Sequence, residues 1–192
     1  MRTLTGKKFN PEKAHKLISE ERKAILPPDK IIEYLEVEGN DVVADLGAGN
    51  GYFTIPIAKS TNNTVYAVDI EPKMLNMLRE SAGKENIKNI DYVVSDLVEF
   101  KLEDASVNKA IVSMVIHEVS SIDHTLNEIK RILKSGGQLL LIEWKAIETE
   151  SGPPLHERIP AQDMVEILKN ANYETEIIDL NSQHYAVKAR IK

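Results

Sequence analysis

Short runs of β-branched and apolar residues recur along the chain from residue 42 onward, and amphipathic stretches separate them. Runs with the length and composition of strands occupy residues 42–46, 65–70, 90–94, 110–116, 138–144, 173–180 and 185–191. Helical spacing fills most of the intervals between them. Glu71-Pro72 opens one such helix, and Asp123 is expected to cap another that ends at residues 134–137. This alternation predicts a parallel sheet with helices on both faces.

The last two predicted strands are joined differently from the others, because only residues 181–184 connect them. So short a link permits a hairpin but no helical crossover. We therefore predict an α/β fold with a doubly wound, Rossmann-like, seven-stranded sheet. The sheet is expected to be mostly parallel, with an antiparallel last strand.

Helical patterns also precede the first strand. Asn10-Pro11 is typical of a helix start, and the helix is expected to run toward Lys23. Pro27-Pro28 ends it, and Asp29 is expected to cap a short second helix. We predict that this N-terminal segment forms a helical lid beside the core.

Composition limits the classes of protein that fit. A chain of 192 residues with 42% hydrophobic content suits one domain, here divided into a lid segment (residues 1–38) and a core (residues 39–192). The absence of cysteine fits a reducing compartment, and neither a signal peptide nor a membrane span is evident, so we expect a cytoplasmic monomer or homodimer. A formal net charge of −6 disfavours nucleic acid as a partner.

The turn after the first strand is rich in glycine. Residues 42–51 have the sequence VVADLGAGNG, in which Asp45 stands two residues before Gly47. Glycines at such a turn let the backbone approach a ligand closely. A dinucleotide-binding loop has the pattern Gly-x-Gly-x-x-Gly, whose third glycine would fall at position 52. That position is Tyr52, and Gly51 comes one residue early.

Acidic residues follow the next two strands. Asp69 ends the second strand, where a carboxylate accepts hydrogen bonds from both ribose hydroxyls of a nucleoside, each worth about 1.5–3 kcal/mol. An NAD site would carry a similar acid, and a helix cap ahead of Pro72 is a third interpretation. Asp96 follows the third strand, and on its own it is typical of a turn.

In this order the motifs resemble those of the class I S-adenosylmethionine-dependent methyltransferases. The first motif of that family is an acid, an apolar residue and Gly-x-Gly-x-Gly, and residues 45–51 match it at every defined position. The resemblance extends over residues 28–192 and includes the terminal hairpin. It implies a methyltransferase whose cofactor is S-adenosylmethionine and whose product is S-adenosylhomocysteine.

The resemblance also implies roles for individual residues. The loop amides would pack on the methionine tail, while Asp45 helps to hold its ammonium group. Asp96 would accept from the adenine amino group, the backbone amide of Leu97 would donate to the ring, and Ile70 and Met74 would flank it, although Met74 equally fits a core position. The expected cofactor residues are Asp45, Gly47, Ala48, Gly49, Asn50, Gly51, Asp69, Ile70, Met74, Asp96, Leu97 and Ser113.

Methyl transfer needs alignment more than acid–base chemistry. Alignment contributes about 7–11 kcal/mol of barrier reduction, whereas a general base is optional. His117, after the fourth strand, faces the expected ligand crevice and is our candidate base. A histidine that is merely hydrogen-bonded beside the cofactor explains it equally well. Glu118 either orients that imidazole or is a solvated loop acid.

The acceptor is expected to bind where the lid, the fifth strand and a long loop meet. The loop covers residues 146–160 and contains Gly152-Pro153-Pro154, and unstructured loops of this length are often functional. A small molecule or a protruding side chain would fit such a mouth, and no spacing suggests a metal site. Candidate acceptor-binding residues are Phe9, Glu118, Glu143, Trp144 and Arg158, of which Trp144 equally fits the core.

Two other hypotheses remain open from the sequence. An NAD(P)-dependent oxidoreductase would share the acid after the second strand, but Tyr52 replaces the glycine that its loop needs. A non-catalytic partner subunit would bind S-adenosylmethionine without turnover. Binding of NAD or of S-adenosylmethionine, followed by a search for turnover, distinguishes the three hypotheses.

Overall fold

A computed structural model describes residues 20–192 of the chain. Phe9 and the predicted helix start at Asn10 lie outside the described residues. Two short helices precede the sheet, α1 (Glu20–Ile25) and α2 (Pro28–Leu35). None of the helices within residues 20–192 has the length and apolar character needed to cross a membrane.

Strands and helices alternate through the rest of the chain. They are β1 (Val43–Leu46), α3 (Thr54–Ser60), β2 (Val65–Asp69), α4 (Pro72–Lys84), β3 (Ile90–Val94), β4 (Val107–Ser113), α5 (Ile122–Ile132), β5 (Leu133–Trp144), α6 (Ala161–Asn170), β6 (Tyr173–Asp179) and β7 (His184–Ile191). The loop between β5 and α6 contains one short 3-10 helix, Leu155–Glu157.

All the strands form one seven-stranded sheet in the order β3-β2-β1-β4-β5-β7-β6. Strand β1 pairs in parallel with β2 and with β4, and only β7 runs against its two neighbours, β5 and β6. The predicted α/β fold with a terminal antiparallel hairpin is therefore confirmed. The strand order reverses between β1 and β4, and an open sheet of this kind binds its ligands beside the carboxyl ends of the strands at such a point.

The core consists of two apolar layers on opposite faces of the sheet. Alternate residues of β1 contribute to each layer, so that Leu46 packs with Leu126 of α5 on one face. Val43 packs with Ile57 of α3 and Leu78 of α4 on the other. Because both faces are covered, β1 is buried over its whole length and holds the loop that follows it in place.

Two predicted helix caps were wrong. Helix α2 follows Pro27 without a side-chain cap, and Asp29 lies inside its first turn. Helix α5 is capped by Ser121, whose hydroxyl accepts from the backbone amide of His124, so Asp123 also lies in the first turn. In both cases the negative charge of the aspartate interacts favourably with the positive end of the helix dipole, although its side chain does not cap the helix.

The fourth and fifth strands begin earlier than the apolar pattern predicted. Polar Asn108 and Lys109 belong to β4, which is followed directly by Met114 at a φ of 58° instead of continuing to residue 116. Helix α5 ends at Ile132 rather than at residues 134–137, and β5 starts at once with an irregular register opposite Val107. The earlier end of β4 leaves residues 114–119 as a turn beside the cavity described below.

Candidate functional site

A cavity of about 460 Å³ lies at the carboxyl ends of β1, β2 and β4. Its volume is within the range of about 300–1,000 Å³ typical of small-molecule sites. Eleven of the twelve expected cofactor residues line it, and Gly51 is the exception. The sheet therefore brings together side chains that the sequence spreads over some 70 positions, from Asp45 to Ser113.

The glycine-rich loop packs against the protein on two sides. A Cβ at Gly51 would come within 2.1 Å of Leu78 Cδ1, and its φ of 93° is a left-handed conformation that favours glycine. At Gly47, with a φ of 81°, a Cβ would lie 2.8 Å from Val115 Cγ2. Gly51 thus serves the contact between the loop and α4, which explains why it does not line the cavity.

Asp69 joins the glycine-rich loop to the next helix. Its Oδ2 accepts from the backbone amide of Gly49 at 2.8 Å, and its Oδ1 accepts from that of Glu71 at the same distance. Each carboxylate oxygen keeps a further lone pair for a ligand. The residue that caps α4 is Glu71, whose side chain accepts from the amide of Lys73, so the helix-cap interpretation of Asp69 is not supported.

Asp45 lies at the base of the cavity and is 2% exposed. Burial raises its pKa to about 7, although the hydroxyl of Thr54 donates to Oδ2 at 2.6 Å and opposes the shift. The charge of Asp69 raises the pKa further, while that of Arg22 lowers it. A nearby cation would favour the ionised form of this buried carboxyl group, because the attraction between the charges compensates the hydration that the carboxylate loses on burial.

Two further polar side chains, those of Asp96 and Ser113, line the cavity. Asp96 lies at its exposed rim, where Oδ1 accepts from the amide of Val98 at 3.3 Å. The buried hydroxyl of Ser113, at the end of β4, has no hydrogen-bond partner within residues 20–192. A buried hydroxyl without a partner costs about 1–3 kcal/mol, so Ser113 is placed to bind a ligand atom.

His117 and Glu143 form a buried pair beside the cavity. The two residues are 4% and 1% exposed, and Nδ1 of His117 lies 2.8 Å from Oε1 of Glu143. The other oxygen of Glu143 accepts from the amide of Trp144 at 3.1 Å. Glu143, not Glu118, therefore orients the imidazole, and the carboxylate requires the proton to be on Nδ1.

Glu118 is the member of this group that lines the cavity. Its Oε1 lies 3.8 Å from Nε2 of His117, and burial raises its pKa. Burial alone would lower the pKa of His117, but the hydrogen bond and charge of Glu143 outweigh burial and raise it. His117 does not itself line the cavity, so Glu118 is the member of the group that is open to a ligand there.

Of the expected acceptor-binding residues within the described part of the chain, Glu118 lines the cavity, whereas Glu143, Trp144 and Arg158 do not. Arg158 is 5% exposed and donates to the carbonyls of Pro153, Ile147 and Ser151 at 2.9, 2.6 and 3.0 Å. Its guanidinium also lies 5.2 Å from the ring centroid of Trp144. The arginine thus organises the loop of residues 146–160, because its donors are directed at the carbonyls of that loop.

Several residues that line the cavity were missed from the sequence. Arg22 reaches it from α1, and its guanidinium lies 4.6 Å from the ring centroid of Tyr52. Position after β4 was a signal for Met114, and Arg22 belongs to the N-terminal segment that was expected to form a lid, but neither was among the expected binding residues. The missed lining residues are Arg22, Tyr52, Phe53, Glu71, Met114, Val115, Val119 and Ser120.

Comparison with known proteins agrees with this geometry. A family model described as a methyltransferase domain matches residues 44–141. The crystal structure of an S-adenosylmethionine-dependent methyltransferase from Aquifex aeolicus is 28% identical and has a TM-score of 0.90, and the alignment covers 96% of this chain and 100% of that one. The [4+2]-cyclase SpnF, 17% identical with a TM-score of 0.80 over 90% of this chain and 82% of its own, shares the fold.

Curated relatives match between about half and three fifths of the chain. The ubiquinone/menaquinone biosynthesis C-methyltransferase UbiE of Hydrogenovibrio crunogenus is 31% identical over 119 residues, which are 60% of this chain and 47% of that protein. UbiE of Brucella anthropi is 35% identical over 103 residues, 53% of this chain and 39% of that protein. The chain therefore spans less than half the length of these relatives.

The chain belongs to the methyltransferase-domain family, and its fold is that of the class I S-adenosylmethionine-dependent enzymes.

Proposed function

We propose that this chain transfers a methyl group from S-adenosylmethionine to a small-molecule acceptor. The observation that carries the proposal is the meeting of Asp45, Asp69 and Asp96 around one glycine-rich loop in one cavity. Asp45 lies in β1, Asp69 ends β2 and Asp96 follows β3. Each would offer a carboxylate to a different part of S-adenosylmethionine, the ammonium group, the ribose or the adenine. A small-molecule acceptor is favoured because UbiE, the relative in several organisms, is a C-methyltransferase of quinone biosynthesis.

The residues present fit the cofactor. Asp69 is held by two backbone amides and has lone pairs left for the ribose hydroxyls. Asp45, with a pKa of about 7, suits the ammonium group of the methionine part. Asp96 and Leu97 line the same cavity as Ile70 and Met74 and would receive the adenine edge, and the hydroxyl of Ser113 lacks a partner in the described part of the chain.

S-adenosylmethionine, when bound, supplies a methyl group on a positively charged sulfur. The protein then has to orient the acceptor and exclude water. The cavity wall after β4, formed by Met114, Val115 and Val119, is apolar and suits both tasks. The acidic residues of the wall complement the positive charge of the cofactor.

An acceptor that must lose a proton before its atom becomes nucleophilic, such as a hydroxyl group, is helped by a base. Glu118 lines the cavity and is the group that would take this proton, with Nε2 of His117 3.8 Å behind it. Glu143 holds the proton of His117 on Nδ1, so Nε2 remains the basic nitrogen. In this proposal His117 and Glu143 are positioning residues for Glu118.

Isothermal titration calorimetry with S-adenosylmethionine, S-adenosylhomocysteine and NAD tests the cofactor. We expect micromolar binding of the first two and a loss of at least tenfold in affinity for Asp69→Asn. Asp91→Asn, which changes an exposed acid of the neighbouring strand β3, is the matched control and should bind normally. Binding of NAD instead of the other two compounds would overturn the proposal in favour of an oxidoreductase.

Turnover is tested separately. The protein is incubated with cofactor labelled on the methyl group and a cell extract that has been divided into a small-molecule and a macromolecular fraction. We expect label to enter the small-molecule fraction. Label only in macromolecules would contradict the acceptor class, and tight cofactor binding with no labelled product in either fraction would favour a non-catalytic partner subunit.

A further inference from the structure

The two edges of the sheet differ in how they are protected against pairing with another strand. In the part of the chain that the structure describes, β3 and β6 are the edge strands, and each pairs on one side only. Strand β6 carries three exposed acids, a common protection of a sheet edge. These acids are Glu174, Glu176 and Asp179. Strand β3 carries one acid, Asp91, so it is the edge that is more open to a further strand.

The outward-facing backbone groups of β3 belong to every second residue. Just before the strand begins, the carbonyl of Asn89 accepts from the amide of Val65 in β2 at 2.8 Å. Just after it ends, the amide of Ser95 donates to the carbonyl of Asp69 in β2 at 3.1 Å. Because the backbone groups of successive strand residues point to opposite sides, the even-numbered residues of β3 direct theirs away from β2. They are Ile90, Tyr92 and Val94.

The surface at the end of β3 is apolar. Val94 is 44% exposed, and Ile70, which follows the neighbouring strand β2, is 42% exposed. Both line a shallow groove beside the strand. Water covers this surface in an isolated chain, whereas a strand paired with β3 would bury part of it. The edge therefore offers both backbone hydrogen bonds and apolar area to a partner.

We propose that this partner is a second copy of the chain, whose β3 pairs antiparallel with the first about a twofold axis at Tyr92. In this register Tyr92 faces Tyr92 of the second copy, and Ile90 of each copy faces Val94 of the other. All three outward-facing residues then form hydrogen-bonded pairs. A register shifted by two residues pairs only two of them within the strand. In one direction that shift also sets Asp91 against Asp91 of the second copy, which is unfavourable.

The charges just outside the strand are complementary in this register. Continuing the pairing beyond the strand ends brings Lys88 opposite Asp96 of the second copy, and both residues are exposed. The twofold axis repeats this pair, and no like charges face each other between residues 88 and 96. Such self-complementarity favours a second copy over an unrelated strand. Because Asp96 lines the cavity, Lys88 of the second copy comes to lie at the cavity rim.

Sedimentation velocity of the full chain, without cofactor, tests the association at concentrations from roughly 1 to 200 µM, since an interface of one short strand is small and its dimer reversible. We expect a species of twice the 21.6 kDa chain mass to grow with concentration. A chain that stays monomeric throughout would overturn the inference. Species that grow beyond a dimer would also overturn it, because a twofold interface is closed.

Lysine substitutions on the two edges show which strand forms the interface. Val94→Lys places a charge opposite Ile90 of the second copy, and the twofold axis applies the change twice, so the dimer should weaken by about tenfold or more. Ile177→Lys is the matched control, because Ile177 is a 38% exposed residue of the other edge strand, β6. Its dissociation constant should stay within about twofold of the unmodified chain. The reverse result, or a dimer that neither substitution weakens, would contradict pairing through β3.

Charge reversal tests the register itself. Lys88→Glu sets like charges opposite each other twice and should weaken the dimer by about three- to tenfold at low salt. Combining it with Asp96→Lys restores opposite charges and should bring the dissociation constant back to within about twofold of the unmodified value. Lys169→Glu, at an exposed site of α6, is the matched control and should have no effect. A double variant that associates no better than Lys88→Glu would rule out the register centred on Tyr92.

Discussion

Nδ1 of His117 lies 2.8 Å from Oε1 of Glu143, and neither residue is more than 4% exposed. The two residues come from different strand ends, after β4 and at the end of β5, which are neighbours in the sheet. A buried carboxylate with an imidazole partner fixes the tautomer and orientation of the ring. The pair therefore sets which nitrogen faces Glu118 and the cavity.

Glu143→Gln should lower the pKa of His117, because the hydrogen bond and charge that outweigh burial are removed. The wild-type pKa is raised, so the pair stabilises the fold fully below the unfolded pKa of about 6.5, and this contribution is lost as the pH rises through the raised folded value. The substitution should therefore cost more stability at pH 6 than at pH 9. NMR titration of the His117 ring, with urea unfolding at both pH values, measures both effects.

The same variant should slow turnover while leaving cofactor affinity within about twofold of the wild type, because neither member of the pair lines the cavity. Positioned acid–base groups contribute about a hundredfold or more to rate. His124→Gln, at an exposed site of α5, is the control. A turnover–pH profile identical to that of the wild type would rule out a role for the pair in proton transfer.

Asp45→Asn should stabilise the protein without its cofactor at pH 8. The folded pKa of Asp45 is raised to about 7, so the folded state holds a proton that the unfolded state releases, and stability falls as the pH rises from about 4 to 7. The side-chain amide introduced by Asp45→Asn does not ionise, so its burial carries no cost that grows with pH. We expect an increase of about 2–4 °C in melting temperature, corresponding to about 1 kcal/mol, at pH 8 but little change at pH 4.

Cofactor binding by the wild type should also strengthen as the pH rises from 6 to 8, since the ionised form of Asp45 suits an ammonium group. Asp45→Asn should bind more weakly and lose this dependence. Calorimetric titration at pH 6, 7 and 8 measures it. A wild-type affinity that is constant over this range would mean that Asp45 does not contact a cationic group of the ligand.

Gly51→Ala should destabilise the fold by about 2–4 kcal/mol. The new Cβ would meet Leu78 at 2.1 Å, and the φ of 93° is unfavourable for alanine. Gly83→Ala in α4 is the matched control, because a Cβ there meets nothing within 4 Å and alanine is the better helix former. Urea unfolding compares the two, and equal stabilities would contradict the packing argument.

Arg158→Met should loosen the loop of residues 146–160 without changing cofactor affinity. The guanidinium donates to three carbonyls of that loop, and methionine replaces none of these bonds. We expect faster proteolysis near the exposed Leu155 and faster amide exchange confined to the loop. Exchange that also rises in the glycine-rich loop would show that the two segments are coupled.

The fold and most of the lining of the cavity were predictable because their signals are local. A strand followed by glycines or by an acid can be recognised within ten residues, as in the segment around Asp45, and the topology then brings the strand ends together. The predicted strand limits were wrong where polar residues such as Asn108 and Lys109 belong to a strand, because a prediction from hydrophobic periodicity does not detect polar strand residues.

The acceptor side was less predictable because its contacts join distant parts of the chain. The partner of His117 is 26 positions away, and Arg22 reaches the cavity from a helix outside the sheet. Arg158 is of a residue type that often binds ligands, but its guanidinium donates hydrogen bonds to backbone carbonyls of its own loop. Those carbonyls come together only when the loop is folded. The sequence shows which residue types could bind a ligand, but it does not show which groups they contact in the folded chain.

The close approach of Gly51 to Leu78 makes the shape of the glycine-rich loop depend on a residue of α4 that does not line the cavity. Changes in the volume of that leucine therefore alter the pocket from its outer side, without touching any bound compound. Variation at such a supporting position offers a route for tuning affinity while every ligand-facing residue stays the same.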